Sequence, residues 1–315
     1  MHFCVKNRPH EALATAFFAT FASEMMRRYS TRTAQLTILL IPKSLKAHLM
    51  PTTRVKVIIP LYTTRLTPYE ERSLHHNCQQ LSAYPIVFIT PRGLDLTAWL
   101  KRYPQCRVET FDPAYFSGIS GYNRLMMSTE FYTRFTDTEY LLICQTDAYV
   151  FRGNELADWC ERGYDYIGAP WLVKPIYRFP PFRLASSLKR RYYAIRHRPD
   201  PHQTRYRVGN GGLSLRRVAS HLHAVSALHT TVEQYLNHPG FHLYNEDVFF
   251  AVEPERHGLA FRYPQWQEAL QFSFDKYPAL CYRLNGRQLP FGCHAWYKRK
   301  MKRFWFPIIL SDSRP

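Results

Sequence analysis

Apolar and polar positions follow two rhythms between residues 54 and 150. Short apolar runs fall at 55–59 in RVKVIIPLY, which Pro60 stops, at 86–90 (IVFIT), at 106–111 (CRVETF) and at 140–144 (YLLIC). Runs this short, rich in β-branched and aromatic residues, predict buried strands. Between them the spacing becomes helical. Thr67-Pro68-Tyr69-Glu70 supplies a cap, a proline suited to the first helical position and a glutamate that closes a capping box, and Leu74, Cys78 and Leu81 then recur along one face. A short helix is expected around 94–103, and GYNRLMMSTEFYTRF at 121–135 predicts one further helix. Strands and helices in alternation, with short connections, predict an α/β fold: a mostly parallel sheet flanked by helices and joined by right-handed crossovers.

Beyond residue 147 the rhythm changes. DYIGAPW at 165–171 ends in a turn, and a basic, aromatic insertion runs from 172 to 207. Within it Leu184, Leu188, Tyr192 and Ile195 lie at helical spacing among Lys189, Arg190, Arg191, Arg196 and Arg198, which predicts a short amphipathic basic helix. VGNGGLSLRR at 208–217 reads as a glycine loop entering a strand. YNEDVFFAVEPERHG at 244–258 reads as a helix opened by Asn245 and ended near Pro254 or Gly258. The expected organisation is an N-terminal extension over 1–50, with Met50 as an alternative start, a single α/β domain over 51–300 and a basic tail over 301–315.

Composition narrows the class. The 315 residues are 46% hydrophobic and 16% aromatic, enough for a large core, which excludes a disordered chain. ALATAFFATFA at 12–22 is too short to span a bilayer; Lys6 and Arg8 precede it as in a signal peptide, but SEMMRRYS follows where a small-residue cleavage site would stand. Seven cysteines without a C-x-x-C pair indicate neither a disulfide framework nor a zinc finger, and point to a reducing, cytoplasmic setting. The net charge of +18 is concentrated in three segments, 171–207 (+9), 283–315 (+7) and 1–50 (+5), leaving the remainder slightly acidic. Such segments attract nucleic acid, anionic lipid or acidic glycans.

Four places carry candidate chemistry. Asp147, just past the strand at 140–144, lies where ligands enter an open parallel sheet. A carboxylate there is expensive to desolvate, so it either binds a cation or caps neighbouring amides in an Asx-turn. Glu246 and Asp247 open a helix, where acids ordinarily complement the dipole. His294, in FGCHAW, is either a satisfied core residue or a ligand. Gly209, Gly211 and Gly212 lack a P-loop ending and imply a tight turn or a close backbone approach.

In order, QTDAYVF, YDYIGAPW, VGNGGLSLR, NEDVFF and PFGCHAW resemble a bacterial family of glycosyltransferase-like proteins of unknown function with the GT-A fold, over roughly residues 54–298. The resemblance implies a nucleotide-sugar-dependent, inverting glycosyltransferase of surface polysaccharide or glycolipid assembly. Its pattern has two aspartates flanking one residue; here Gln145 replaces the first. Asp147 and His294 then look like the ligands of a divalent metal, Mn2+ rather than Mg2+ because imidazole suits the softer ion. Asp247 looks like the base, beside Glu246. Nucleotide-sugar contacts are expected from Pro60, Tyr62, Asn123, Arg124, Thr146, Asp147, Gly211 and Gly212, with Trp171 as a sugar or acceptor platform. Tyr62 and Trp171 read more readily as packing, and Arg124 as a solvated helix residue. The implied partners are a nucleotide diphosphate sugar and a saccharide or lipid-linked acceptor; the charge of the basic helix and tail suits peripheral attachment to the anionic inner face of the membrane or to an acidic glycan, and reads equally as a solvated basic surface. Gln145 keeps a catalytically silent glycan- or nucleotide-binding relative as an alternative. Charge and 22 tyrosines would permit a nucleic-acid-binding protein, but no RNA-binding signature or helix-turn-helix pattern accompanies them, so nucleic acid is not an expected partner.

Overall fold

The computed structural model describes residues 53–311 apart from 174, 175, 177, 178 and 197. The expected extension over 1–50, with its apolar stretch and Met50, lies outside the described residues. The strands are β1 (Thr53–Pro60), β2 (Ile86–Pro91), β3 (Cys106–Phe111), β4 (Thr138–Cys144), β5 (Tyr149–Val150), β6 (Tyr166–Gly168), β7 (Leu213–Arg217), β8 (Ser273–Phe274) and β9 (Gly292–Cys293). Six of them form the central sheet in the order β3-β2-β1-β4-β7-β6. Its first four strands are parallel, β7 runs antiparallel to β4, and β6 returns to the direction of β4. The expected mostly parallel α/β sheet is present, with one reversed strand that the glycine loop feeds.

Period-two alternation assigns each strand to two faces. Val57 and Ile59 of β1 and Leu142 and Cys144 of β4 point to one core; Ile58, Leu141 and Ile143 point to the other. Helices α1 (Pro68–Gln80), α2 (Thr97–Arg102), α3 (Gly118–Met126), α4 (Thr129–Thr133) and α5 (Leu156–Glu161) follow in chain order. The first face is covered by Leu74 and Cys78 of α1, Trp99 of α2 and Trp159 of α5. The second is covered by Leu125 of α3 and Phe131 of α4. The capping box of α1 forms as expected, Thr67 and Glu70 exchanging hydrogen bonds of 3.3 and 2.8 Å. The single helix expected at 121–135 is instead two, α3 and α4, because Ser128 adopts extended backbone and its Oγ accepts from the Phe131 amide at 3.1 Å.

The later helices are α6 (Pro180–Ile195), α7 (Val218–Ala227), α8 (His229–Leu236), α9 (Glu246–Arg256), α10 (Trp266–Phe272), α11 (Pro278–Leu284) and α12 (Lys302–Ile309). Pro254 lies inside α9 and donates no hydrogen bond to the Phe250 carbonyl; the Tyr263 hydroxyl donates to that carbonyl instead, at 2.6 Å. The stretch from 301, expected as a basic tail, contains α12, whose Trp305 and Ile309 are buried in a third apolar cluster with Phe274 and Trp296. The amphipathic helix expected around 184–195 is α6, which buries none of its residues. Among the described residues, no helix is long and apolar enough to cross a membrane.

The small second sheet, β5-β9-β8, positions the chemistry. Strands β8 and β9 are parallel with Phe274 opposite Cys293, so Asp275 and His294, the next residue of each, emerge side by side. Strand β5 runs antiparallel to β9 with Tyr149 opposite Cys293, which brings Asp147 in from the opposite direction.

Candidate active site

The loop leaving β4 and the loop entering β7 meet where the Gln145 amide donates to the Gly212 carbonyl at 2.9 Å. On one side of this junction, His294 is clasped between two carboxylates. Its Nδ1 is 3.1 Å from Asp275 Oδ1 and its Nε2 is 3.0 Å from Asp147 Oδ1, while Lys298 Nζ is 3.3 Å from Asp147 Oδ2. Burial pushes Asp147 up, but His294 and Lys298 outweigh it and hold the carboxyl well below its ordinary range. Burial would likewise lower His294, yet its two carboxylate neighbours raise it to about 10.

On the other side lies a buried ion pair. Arg216, fully buried on β7, sets Nη1 3.0 Å from Glu246 Oε2 and donates from Nη2 to Glu246 Oε1 at 3.1 Å; it also donates to the Tyr132 hydroxyl and to Ser214 Oγ at 3.3 and 3.1 Å. Glu246 is therefore engaged through both oxygens, as a brace. Among the described residues Asp247, half-buried, has no such partner: its Oδ1 accepts the Val248 amide, at 2.8 Å. Burial, then the charges of Glu246 and Asp275, raise its pKa to about 7, against the pull of the Val248 amide and Arg216. The carboxylate is held at the edge of protonation, as a general base requires.

Gly211 and Gly212 separate the two halves. A Cβ on Gly211 would stand 1.9 Å from Glu246 Oε1, and one on Gly212 would stand 2.2 Å from the His294 ring. The close backbone approach expected of these glycines is thus toward the site's own side chains. Gly209 makes a third approach: Trp171 fills the space of its missing Cβ at 1.9 Å.

The other expected residues divide. Thr146 borders the cleft and donates to Glu70 Oε1 at 3.3 Å, so the capping glutamate of α1 also ties down the loop that carries Asp147. Tyr62 stands edge-on to Phe116, with centroids 5.5 Å apart, and its pKa is raised by burial and then by Glu246 and Asp147, which sets the ring beside the acids. Asn123 is occupied elsewhere: it donates to Asn245 Oδ1 at 3.0 Å and accepts from the Glu246 amide at 3.1 Å, fixing the start of α9. Pro60 is buried within the sheet opposite Ile89, and Arg124 is exposed beside Tyr115. Asp275 and Lys298 carry no signal in the sequence. Neither belongs to a periodic pattern; only the pairing of β8 with β9 brings Asp275 to His294.

His294 and Asp147 fit a metal-binding role in which the cation would displace the Nε2 proton that the two carboxylates otherwise hold on the imidazole. Nε2 is buried without an aligned hydrogen bond although Asp147 Oδ1 is 3.0 Å away, a separation suited to adjacent ligands on one ion. Asp275 on Nδ1 is the outer carboxylate that orients a ligating histidine. Among the described residues no group of three or more His, Cys, Asp or Glu is placed to hold a metal, so two protein ligands would need oxygens from a phosphate-bearing substrate.

Fold and site define an α/β protein with an acid–imidazole cluster beyond the carboxyl end of a central strand. Residues 105–294, more than half of the chain, match the family model described as "Protein of unknown function (DUF5672)", and the chain belongs to that family. No curated protein matches the sequence. Similar solved structures include a glycosyltransferase involved in the glycosylation of the major capsid of PBCV-1, 12% identical over 79% of this chain and 97% of that one, with a TM-score of 0.43. They also include S. aureus TarS 1-349, 16% identical over 39% of this chain and 37% of that one, with a TM-score of 0.26. At these distances the functional argument rests on this chain's own side chains.

Proposed function

We propose that the protein is a GT-A-type glycosyltransferase that moves a sugar from a nucleotide diphosphate donor to a saccharide or lipid-linked acceptor, with inversion, in surface polysaccharide or glycolipid assembly. The observation that carries this reading is the convergence of Asp147, His294 and Glu246 on Gly211 and Gly212, with Asp247 next to Glu246 and within the electrostatic reach of Asp275.

Asp247 takes the acceptor hydroxyl's proton as that oxygen bonds to the anomeric carbon. The bond from that carbon to the diphosphate breaks, and its electron pair leaves with the diphosphate. A pKa of about 7 suits this transfer. With Glu246 committed to Arg216 through both oxygens, Asp247 is the carboxylate assigned to the acceptor, and its role as base belongs to a single in-line displacement with inversion. Asp147 and His294 are the residues that would hold a divalent metal, manganese before magnesium, which when bound supplies charge to stabilise the departing diphosphate. Lys298 adds a cation at the same place, and Tyr62 offers a ring for the nucleobase.

The exposed stripe of Leu184, Leu188, Tyr192 and Ile195 on α6, flanked by arginines and free of acids within the helix, supports peripheral binding to an anionic membrane surface from the cytoplasmic side. Gln145, standing where the pattern has its first acid, favours a second reading, a silent nucleotide- or glycan-binding relative.

A panel of nucleotide-sugars, scored for turnover and thermal shift with and without manganese, separates the two readings. UDP or GDP with manganese is expected to raise the melting temperature, and Asp147→Ala to abolish the manganese-dependent part. Turnover of a nucleotide-sugar selects the transferase, stabilisation without turnover the silent relative, and no response to any nucleotide removes both.

A further inference from the structure

A cavity of about 380 Å³ that the chemistry above does not use lies among segments that continue into the acid–imidazole centre. Its walls come from the start of the basic insertion, the inner face of α6, residues 201–205 and the turn at Lys276 and Tyr277. The volume lies in the range of small-ligand sites. Two chain connections join it to the centre. Lys276 and Tyr277 directly follow Asp275, which holds His294 Nδ1. Trp171 packs against Gly209, in the loop that continues into Gly211 and Gly212.

The lining has one sign of charge. Lys189, Arg205 and Lys276 all face the cavity, and no carboxylate is among its described lining residues. The wall is built rather than loosely assembled: Ser186 Oγ accepts from Arg205 Nη2 at 2.6 Å and lies 2.7 Å from His202 Nε2. Burial, then Arg205, hold His202 below its ordinary pKa. The rings of Trp171 and Tyr277 line the same cavity. Tyr277 has a left-handed backbone, φ 57°, immediately before Pro278 opens α11, a strained conformation of the kind found at ligand clamps. Cations for an oxyanion and flat rings for a sugar face are the two halves of an acidic-glycan site.

We infer that this cavity is the acceptor subsite and that it selects an anionic acceptor, with an oxyanion held by Lys189, Arg205 and Lys276 while a sugar ring rests on Trp171 or Tyr277. The inference rests on the transferase reading and deepens it. The oxyanion has two possible sources, a uronate within a glycan or the diphosphate of a lipid carrier. Because the outer face of α6 carries the exposed apolar stripe, the cavity would stand close to a membrane surface and be accessible to either.

The test is calorimetric binding to the full chain of three probes: a glucuronate-containing disaccharide, a short-chain prenyl diphosphate monosaccharide and the neutral disaccharide maltose. At least one anionic probe is expected to bind ten or more times tighter than maltose, and the tighter of the two identifies the source. The three cations are exposed, so Lys189→Gln, Arg205→Gln and Lys276→Gln are expected to fold, with melting curves as the check. Each is expected to weaken the anionic probe about tenfold, the loss of one charge-assisted hydrogen bond, with Lys189→Arg recovering most of the affinity. Equal binding of maltose and the anionic probes, or variants that leave anionic affinity unchanged, would overturn the inference, while nucleotide-sugar turnover tests the transferase separately. Binding that follows the expected pattern without transfer from any donor would retain the anionic subsite and remove the transferase.

Discussion

Replacing Asp247 with Asn tests the site's electrostatics and its chemistry together. Asp247 ionises near 3.8 in the unfolded chain and near 7 in the folded one, where burial and Glu246 oppose its charge. Between those values the unfolded state has released a proton that the folded state retains, so raising the pH favours unfolding. The contribution is intact below 3.8 and is lost as pH passes about 7. Full expression of the shift corresponds to roughly 4 kcal/mol. The carboxylate is half-buried and water reaches it, so we take about half, ~2 kcal/mol, as the expected effect. Asn is nearly isosteric, its carbonyl can keep the Val248 amide bond, and it carries no titrating proton. Asp247→Asn should therefore match the wild type near pH 4 and exceed it in melting temperature by about 4–8 °C above pH 7.5, given a domain of this size. Turnover should disappear in the same variant, and in the wild type kcat/KM should fall about tenfold per pH unit below 7 as the base is protonated. Melting scans and nucleotide-sugar turnover from pH 4.5 to 8.5 read both. A melting difference that does not change with pH would refute the electrostatic account, and full turnover by the Asn variant would refute the base.

Three further outcomes follow from the geometry. Glu246→Ala strands the fully buried guanidinium of Arg216 and should cost about 3–5 kcal/mol in denaturant unfolding, with the double change Arg216→Met/Glu246→Leu recovering most of it; a single-variant loss below about 1 kcal/mol would contradict the brace. Tyr263→Phe should lower stability by about 1–2 kcal/mol, because Pro254 leaves the Phe250 carbonyl with the Tyr263 hydroxyl as its donor; an unchanged denaturation midpoint would mean another donor replaces it. Leu188→Ser with Ile195→Ser on α6 should abolish cosedimentation with vesicles of anionic phospholipid, and added salt should weaken the wild type; variants that sediment like the wild type would remove the membrane-docking role.

Much of the fold was legible because it is written in local spacing. The alternation in β1 and β4 and the stripe of Leu74, Cys78 and Leu81 each state which side faces a core, and all are buried accordingly. What failed was also local: Ser128 offers its side chain to a new helix start, which no count of apolar positions in 121–135 reveals. The site was legible only in part. Asp147, Asp247 and His294 stand out as polar residues in apolar surroundings, but Asp275 and Lys298 acquire meaning through pairing between strands of two residues each, too short to leave a periodic trace. Asn123 shows what sequence leaves out: its bonds to Asn245 and the Glu246 amide, which fix the start of α9, depend on two elements meeting in space.

The separation between the acid pair and the imidazole is set by backbone. Glu246 cannot move away from Gly211 without leaving Arg216, and Arg216 is held in turn by Tyr132 and Ser214. His294 cannot move away from Gly212 without leaving Asp275. The peptide between these glycines enters β7, whose register on β4 is fixed by pairs from Tyr140–Arg217 to Cys144–Leu213. The acid pair and the imidazole are therefore gauged against a sheet strand with no side chain between them. In the proposed transfer such a site would need little rearrangement to meet developing charge, the condition under which fixed dipoles and ions lower a barrier most. It also explains why an antiparallel strand belongs in an otherwise parallel sheet. Entering against the direction of β4, β7 delivers its glycine loop to the same edge at which β4 releases Asp147.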